Sequence, residues 1–292
     1  MVDIGCGRTL HAVLAGPASS HQPLVVLEAG AFGFSADWAA VQDKLSRRSL
    51  RSLAYDRAGL GFSRLGPEPR DGQAIVQDLE RLLAHLGEPG PFVLCGHSMA
   101  GLHVRLFAAR NAGRVIGVVL VDATTPEAMD SKMISGFVEH FGRASRLAAW
   151  GAEAGLLAPL SGTGLGDAIG LEGPPGLEKR WAFAHAGHNH WAAREVQSWA
   201  DSARQAREAG HFDSRLPVAV ILTGTAADRN GFRALQIAPA KASNQGLVDY
   251  VAGASHATML NGVFADAIIR GVEHVMGVAA EDAGGARSRA EP

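Results

Sequence analysis

The stretch Pro91-Phe92-Val93-Leu94-Cys95-Gly96-His97-Ser98-Met99-Ala100-Gly101 does most to narrow what this chain can fold into. Its apolar run reads as a fully buried strand, and it stops abruptly at small residues around Ser98. Leu102, Val104, Leu106 and Phe107 then fall at helical spacing in a segment that reaches Ala112. A strand that turns sharply into a helix needs small side chains at the crossing, because the two elements nearly touch there. The same turn lifts the serine hydroxyl above the sheet and aims the first free N–H groups of the helix at that point. Ser98 is therefore the candidate nucleophile. Ala100 stands at the fifth position of the Gly-x-Ser-x-Gly pattern, with Gly101 one place later, and alanine is small enough for that position.

Around this stretch the chain alternates apolar runs with amphipathic helices. Further strands are expected at Val2–Ile4, Thr9–Leu14, Leu24–Leu27, Leu50–Ala54, Val115–Val121, Pro217–Leu222 and Gly246–Val251. Helices are expected at Asp37–Ser46, Gly72–Leu86, Phe232–Ala242 and Ala257–Val278. This rhythm implies a mostly parallel, eight-stranded α/β sheet with helices on both faces. From Pro126 to Phe212 it lapses into an alanine- and glycine-rich helical span carrying Trp150, Trp181, Trp191 and Trp199. The expected organisation is a core of residues 1–125 and 213–278, a helical cap at 126–212, and a disordered tail at 279–292.

Parallel sheets bind ligands beyond the carboxyl ends of their strands. Ser98, Asp122, Asp228 and His256 each follow an expected strand, so all four gather on one edge. A serine hydroxyl needs an adjacent base, which is itself oriented by an acid. His256, in the small-residue loop opening the last helix, is the candidate base. Asp122 and Asp228 both give the chain order Ser, Asp, His, and an aspartate at a strand end is also a routine cap. His97 is expected to point away from Ser98 along an extended chain and to be structural.

These residues, with the loop Glu28–Gly33, the segment Tyr55–Ser63 and Val119–Asp122, make the chain resemble an α/β-hydrolase-fold serine hydrolase of the small bacterial esterase-like branch over roughly residues 1–278. The resemblance implies a Ser98–His256–acid triad and favours Asp122 as the acid, with Asp228 as the alternative. It also implies an oxyanion hole built from the backbone N–H groups of Met99 and Ala31, with Phe32 the alternative to Ala31. The family often carries His-Gly in the first loop, where this chain has Ala29-Gly30; a backbone donor survives that change. The implied reaction is hydrolysis of small to medium carboxylic esters through an acyl-enzyme, needing neither metal nor organic cofactor. A lactone, amide or N-terminal peptide substrate, or a non-catalytic ligand receptor on the same fold, are the rival readings. Haloalkane dehalogenases and epoxide hydrolases resemble the chain less, since they place aspartate where Ser98 stands.

Phe32, Trp181 and Trp191 are candidate pocket residues. Asp56 and Arg57, with Gly59 and Gly61, are expected to shape a turn beside the site. His185, His188 and His190 lack carboxylates or cysteines at ligand spacing, so no metal site is expected there. The net charge of −2, with dispersed basic residues, argues against nucleic acid. The two cysteines, Cys6 and Cys95, make no disulfide framework. The N-terminus has no secretory pattern and no apolar run reaches spanning length, so the expected location is cytoplasmic, without membrane association. The expected partner is a small-molecule ester.

Overall fold

The computed structural model describes residues 1–17, 22–228 and 231–288, except for the side chains of 281–288. Strands β1 (Val2–Asp3) and β2 (Thr9–Leu10) form a separate antiparallel ribbon. The main sheet comprises β3 (Ala12–Ala15), β4 (Leu24–Glu28), β5 (Arg51–Tyr55), β6 (Phe92–His97), β7 (Val115–Val121), β8 (Val218–Thr223) and β9 (Gly246–Val251). Its order is β3-β5-β4-β6-β7-β8-β9, antiparallel only at the β3 edge. Among the described residues the main sheet thus has seven strands rather than eight, because the expected strand at Val2–Ile4 pairs only with Thr9–Leu10 in the ribbon. The expected strand at 9–14 breaks into two pieces, and only the second joins the main sheet.

The central strands read as unbroken apolar runs because both of their faces are covered. Leu24, Val26, Phe92, Leu94, Val118 and Leu120 belong to one buried cluster. The alternate residues Val25, Leu27, Val93, Cys95, Val119 and Val121 belong to the other. Each such large side chain contributes about 1.5–3 kcal/mol by leaving water. Helices α1 (Ala39–Arg47), α2 (Gly72–His85) and α3 (Ala100–Arg110) follow β4, β5 and β6.

Between β7 and β8 the chain makes α4 (Lys132–Glu153), α5 (Gly173–Ala184), α6 (Ala186–Gln197) and α7 (Trp199–Glu208), with short 3-10 turns at Pro126–Asp130 and Ala158–Leu160. Helix α7 docks on α2 and α3. There Ser202 Oγ and Gln205 Oε1 accept the Gly72 and Gln73 N–H groups at 2.9 Å each, satisfying amides that α2 leaves without internal partners. The chain ends with α8 (Gly231–Ala242) and α9 (Asp266–Ser288). The last helix starts later than Ala257, after a 3-10 turn at Thr258–Leu260, and continues beyond Val278 into the segment expected to be a disordered tail. Residues 289–292 lie outside the described residues. Among the described residues no helix is long and apolar enough to cross a membrane.

Candidate active site

Ser98 sits between β6 and α3 with φ +58°, a left-handed conformation that costs a non-glycine residue about 1–3 kcal/mol. The neighbouring strand imposes it. The Ser98 N–H donates to Val121 O at 3.1 Å, and the Ser98 carbonyl accepts from Thr124 N at 2.9 Å. Gly96 lets β6 approach α3, a Cβ there lying 2.7 Å from Val104 Cγ2, and Gly101 faces the segment after β7, where a Cβ would lie 2.5 Å from Thr124 O. The Gly101 contact accounts for a glycine one place later than the usual pattern, while Ala100 is buried.

His256 occupies the loop after β9. Its Nε2 lies 2.9 Å from Ser98 Oγ and its Nδ1 lies 2.6 Å from Asp122 Oδ2. Asp122 follows β7 with φ +43°, and its other oxygen accepts from Gln236 Nε2 of α8 at 3.2 Å. Burial alone would push the Asp122 carboxyl upward; the hydrogen bonds and charge of His256, with Gln236, outweigh it and hold the group below its ordinary range. Asp228 is not part of this chain of contacts. Its carboxylate folds back on its own turn, accepting from Thr225 N at 2.6 Å. The structure thus brings Ser98, His256 and Asp122 together and leaves Asp228 as a turn cap.

The loop after β4 runs against the serine. A Cβ on Gly30 would lie 2.9 Å from Ser98 Cβ, so only glycine lets the loop approach. Ala31 lies on the wall of the adjoining cavity, and Met99 is the buried residue preceding α3. Ala31 thus shares the cavity wall with Ser98 and Met99 directly follows it, at a helix N-terminus that favours negative charge.

Ser98, His256 and Asp122 open onto a cavity of about 580 Å³. Ile134, Phe137, Val138 and Phe141 of α4 line one side, with Ile169, Trp199, Phe232 and Leu260 around them. The four α4 residues fall at i, i+3, i+4 and i+7, a single helical stripe turned toward the cavity. Such a wall suits an apolar acyl or alcohol group.

A family model described as the alpha/beta hydrolase family matches residues 24–267. The chain belongs to the alpha/beta hydrolase family. Among curated relatives it is 34% identical over 130 residues to a probable transporter of Hormonema carpetanum, covering 43% of this chain and 18% of that protein. It is 30% identical over 140 residues to an AB hydrolase superfamily protein of Gibberella zeae, covering 46% of this chain and 43% of that protein. The chain thus spans less than half the length of these relatives. Among solved structures, the enol-lactonase of Burkholderia xenovorans superposes with a TM-score of 0.65 at 23% identity, over 95% of this chain and 100% of that one. A thermophilic esterase of Thermogutta terrifontis gives 0.64 at 21% identity, over 92% and 94%. At these identities the two structures show the shared hydrolase fold.

Several sequence expectations need correction. Phe32, Trp181 and Trp191 are not among the residues lining the cavity. Phe32 packs edge-on to Phe141, Trp181 stacks on Phe62 at the surface, and Trp191 lies against Gly59. Aromatic character alone does not tell a wall residue from one that packs behind the wall. His97 also differs from expectation. Its ring lies 4.6 Å from that of His256, and its Nε2 is 2.9 Å from the His256 carbonyl. Strand alternation does not carry through the left-handed Ser98, so the geometry of an extended chain misplaces its neighbour. Burial, with the nearby His256 charge, pushes His97 down to about 3, so the ring is neutral and donates from Nε2. His188 is likewise buried, and His185 caps α6 by accepting from His188 N at 3.2 Å. Among the described residues no cluster of His, Cys, Asp and Glu is arranged to hold a metal ion.

Proposed function

We propose that this alpha/beta hydrolase is a serine esterase acting on apolar carboxylic esters of small to medium size. The observation carrying the proposal is the continuous hydrogen-bonded line Ser98 Oγ–His256–Asp122 on the wall of an apolar cavity. An ionised Asp122 accepts from His256 Nδ1–H, which leaves Nε2 as the lone-pair nitrogen facing the serine hydroxyl. As Ser98 Oγ attacks the ester carbonyl, His256 takes its proton, and the Ala31 and Met99 N–H groups bind the developing oxyanion. The imidazolium then protonates the departing alcohol. A water enters and loses its proton to His256 as it attacks the acyl carbon; the acid departs as the Ser98 Oγ–acyl bond breaks and His256 returns the proton to Oγ. The shape and lining of the cavity support an apolar acyl chain, and the esterase and enol-lactonase among the fold's neighbours are compatible with acyl transfer at an oxygen ester.

The test is turnover of p-nitrophenyl esters from acetate to long acyl chains by wild type and Ser98→Ala. Hydrolysis peaking at medium chain length and abolished in Ser98→Ala supports the proposal. A wild type inactive on the whole series, and unreactive toward a fluorophosphonate probe, overturns it.

A further inference from the structure

The loop carrying the Ala31 N–H is gripped from behind by a buried ion network. Arg57 is 2% exposed. Its Nη1 lies 2.8 Å from Glu28 Oε1, and its Nε lies 3.0 and 2.9 Å from the two oxygens of Glu195. The same guanidinium donates to two loop carbonyls, Nη1 to Ala29 O at 2.5 Å and Nη2 to Gly30 O at 2.8 Å. A peptide unit is planar, with its C=O and N–H pointing in opposite directions. Gly30 C=O and Ala31 N–H are the two ends of one such unit. A guanidinium on the carbonyl end therefore fixes the direction of the amide end, and its charge polarises that N–H into a stronger donor.

The other side of the network belongs to the cap. Glu195 lies on α6 and is 1% exposed. Two further cap side chains hold the Phe32 carbonyl, two residues along the loop. His188 Nδ1 accepts from Gly61 N at 3.0 Å, which leaves its Nε2–H to donate to Phe32 O at 3.3 Å. Lys179 of α5 reaches the same oxygen at 3.2 Å and the two Asp37 oxygens at 2.7 and 2.9 Å. Phe32 has φ +59°, a conformation that a bulky residue keeps only where its surroundings impose it.

We propose that Arg57 is the positioning residue of the oxyanion hole, and that Glu195 makes the hole conditional on a seated cap. With the cap in place, the Gly30–Ala31 peptide is locked with its N–H toward Ser98. When α6 withdraws Glu195, Arg57 loses its second carboxylate and its hold on Gly30 O slackens, leaving the Gly33 N–H at 3.1 Å as that oxygen's other anchor. Closure over the substrate and completion of the hole are then one event. This rests on the reading of Ser98 as nucleophile and Ala31 as oxyanion donor.

Arg57 variants strand the buried Glu195 carboxylate, take the cation from Glu28 and are expected to lose folded protein, so Glu195→Gln carries the test, with Glu195→Asp as the conservative control. Three quantities are compared with wild type: hydrogen–deuterium exchange of residues 28–34, kcat and KM on p-nitrophenyl butyrate, and affinity for a trifluoromethyl ketone. Loss of a whole oxyanion donor costs ~10²–10³ in kcat, so a loosened one should cost about tenfold. Glu195→Gln is expected to speed exchange in the loop, lower kcat by that factor with KM within about twofold, and weaken the ketone in step with kcat. Glu195→Asp should recover part of each. A lowered melting temperature with loop exchange, kcat and ketone affinity unchanged overturns the proposal and leaves Glu195 a merely structural residue. Faster loop exchange in a protein whose wild type neither cleaves esters nor labels with fluorophosphonate supports the coupling and overturns the esterase reading alone.

Discussion

Replacing Asp122 by asparagine removes one charge and almost no volume, and the hydrogen bonds around it dictate how the new amide must sit. Gln236 Nε2 donates to Asp122 Oδ1 at 3.2 Å, while His256 Nδ1 faces Oδ2 at 2.6 Å. An asparagine has one acceptor end and one donor end. Gln236 claims the acceptor, so the NH2 turns toward His256 and Nδ1 must become the lone-pair nitrogen. The proton then sits on Nε2, 2.9 Å from Ser98 Oγ, where the ring donates to the hydroxyl instead of accepting from it. The expected loss in kcat is ~10⁴, the size of this tautomer effect in Ser-His-Asp triads, or about 5.4 kcal/mol at 1.36 kcal/mol per decade. The assay is kcat on p-nitrophenyl butyrate, with circular dichroism to establish folding. Adding Gln236→Met removes the competing donor, frees the amide to present its oxygen to Nδ1–H, and should restore roughly tenfold or more. The reasoning fails if Asp122→Asn stays within about tenfold of wild type while Asp228→Asn is crippled, or if the double variant recovers nothing.

Acid should destabilise the fold through its buried histidines. His97 and His188 fall from 6.5 to about 3, chiefly through burial, so the unfolded chain binds their protons more readily. Their contribution is whole above pH 6.5 and is lost as pH falls toward 3, at about 1.4 kcal/mol per unit for each, or about 2 kcal/mol each by pH 5; a melting temperature that does not drop between pH 7 and 5 refutes this. Gly101→Ala places a Cβ 2.5 Å from Thr124 O and 2.9 Å from Ala123 Cβ. It should cost about 1–3 kcal/mol, at about 2–4 °C in Tm per kcal/mol, and an unshifted Tm would show that the elbow yields. Phe141→Ala should raise KM for medium-chain esters more than for acetate, by about 1–3 kcal/mol of lost apolar contact; equal effects on both would place the acyl chain elsewhere.

The elbow and the strand-end residues were legible because each depends on local pattern. An apolar run followed by small residues and a helical stripe needs no tertiary knowledge, and parallel topology then brings Ser98, Asp122 and His256 to one edge. The choice of acid was not legible from residues alone. Asp122 and Asp228 both follow strands, and only the packing of α8 brings Gln236 onto one of them. The cavity wall carries a readable signal in Ile134, Phe137, Val138 and Phe141, whose spacing marks an inward helix face, whereas the aromatic character of Trp181 and Trp191 does not distinguish wall from packing. Glu28, Arg57 and Glu195 were hardest, because 138 residues separate Arg57 from its cap partner. Charged residues in a sequence are ordinarily on the surface.

The chain leaves the sheet after Val121 and rejoins it on the adjacent strand, where Val121 and Ile221 are in register. The excursion re-enters at Val218, beside Val118, so neighbouring parallel strands hold its two ends on the order of 10 Å apart, and it is a natural cassette: what lies between can be lengthened or exchanged without disturbing the pairing beneath. Ser98, Asp122 and His256 all stay with the recipient in such a graft. Lys179, His188 and Glu195 depart with the replaced segment, and with them the hold on Phe32 O and the cap carboxylate that Arg57 pairs with. On the proposed reading, a chimera carrying a foreign cap is expected to keep the Ser98–His256–Asp122 contacts and to turn over slowly until matching side chains are written into the new helices.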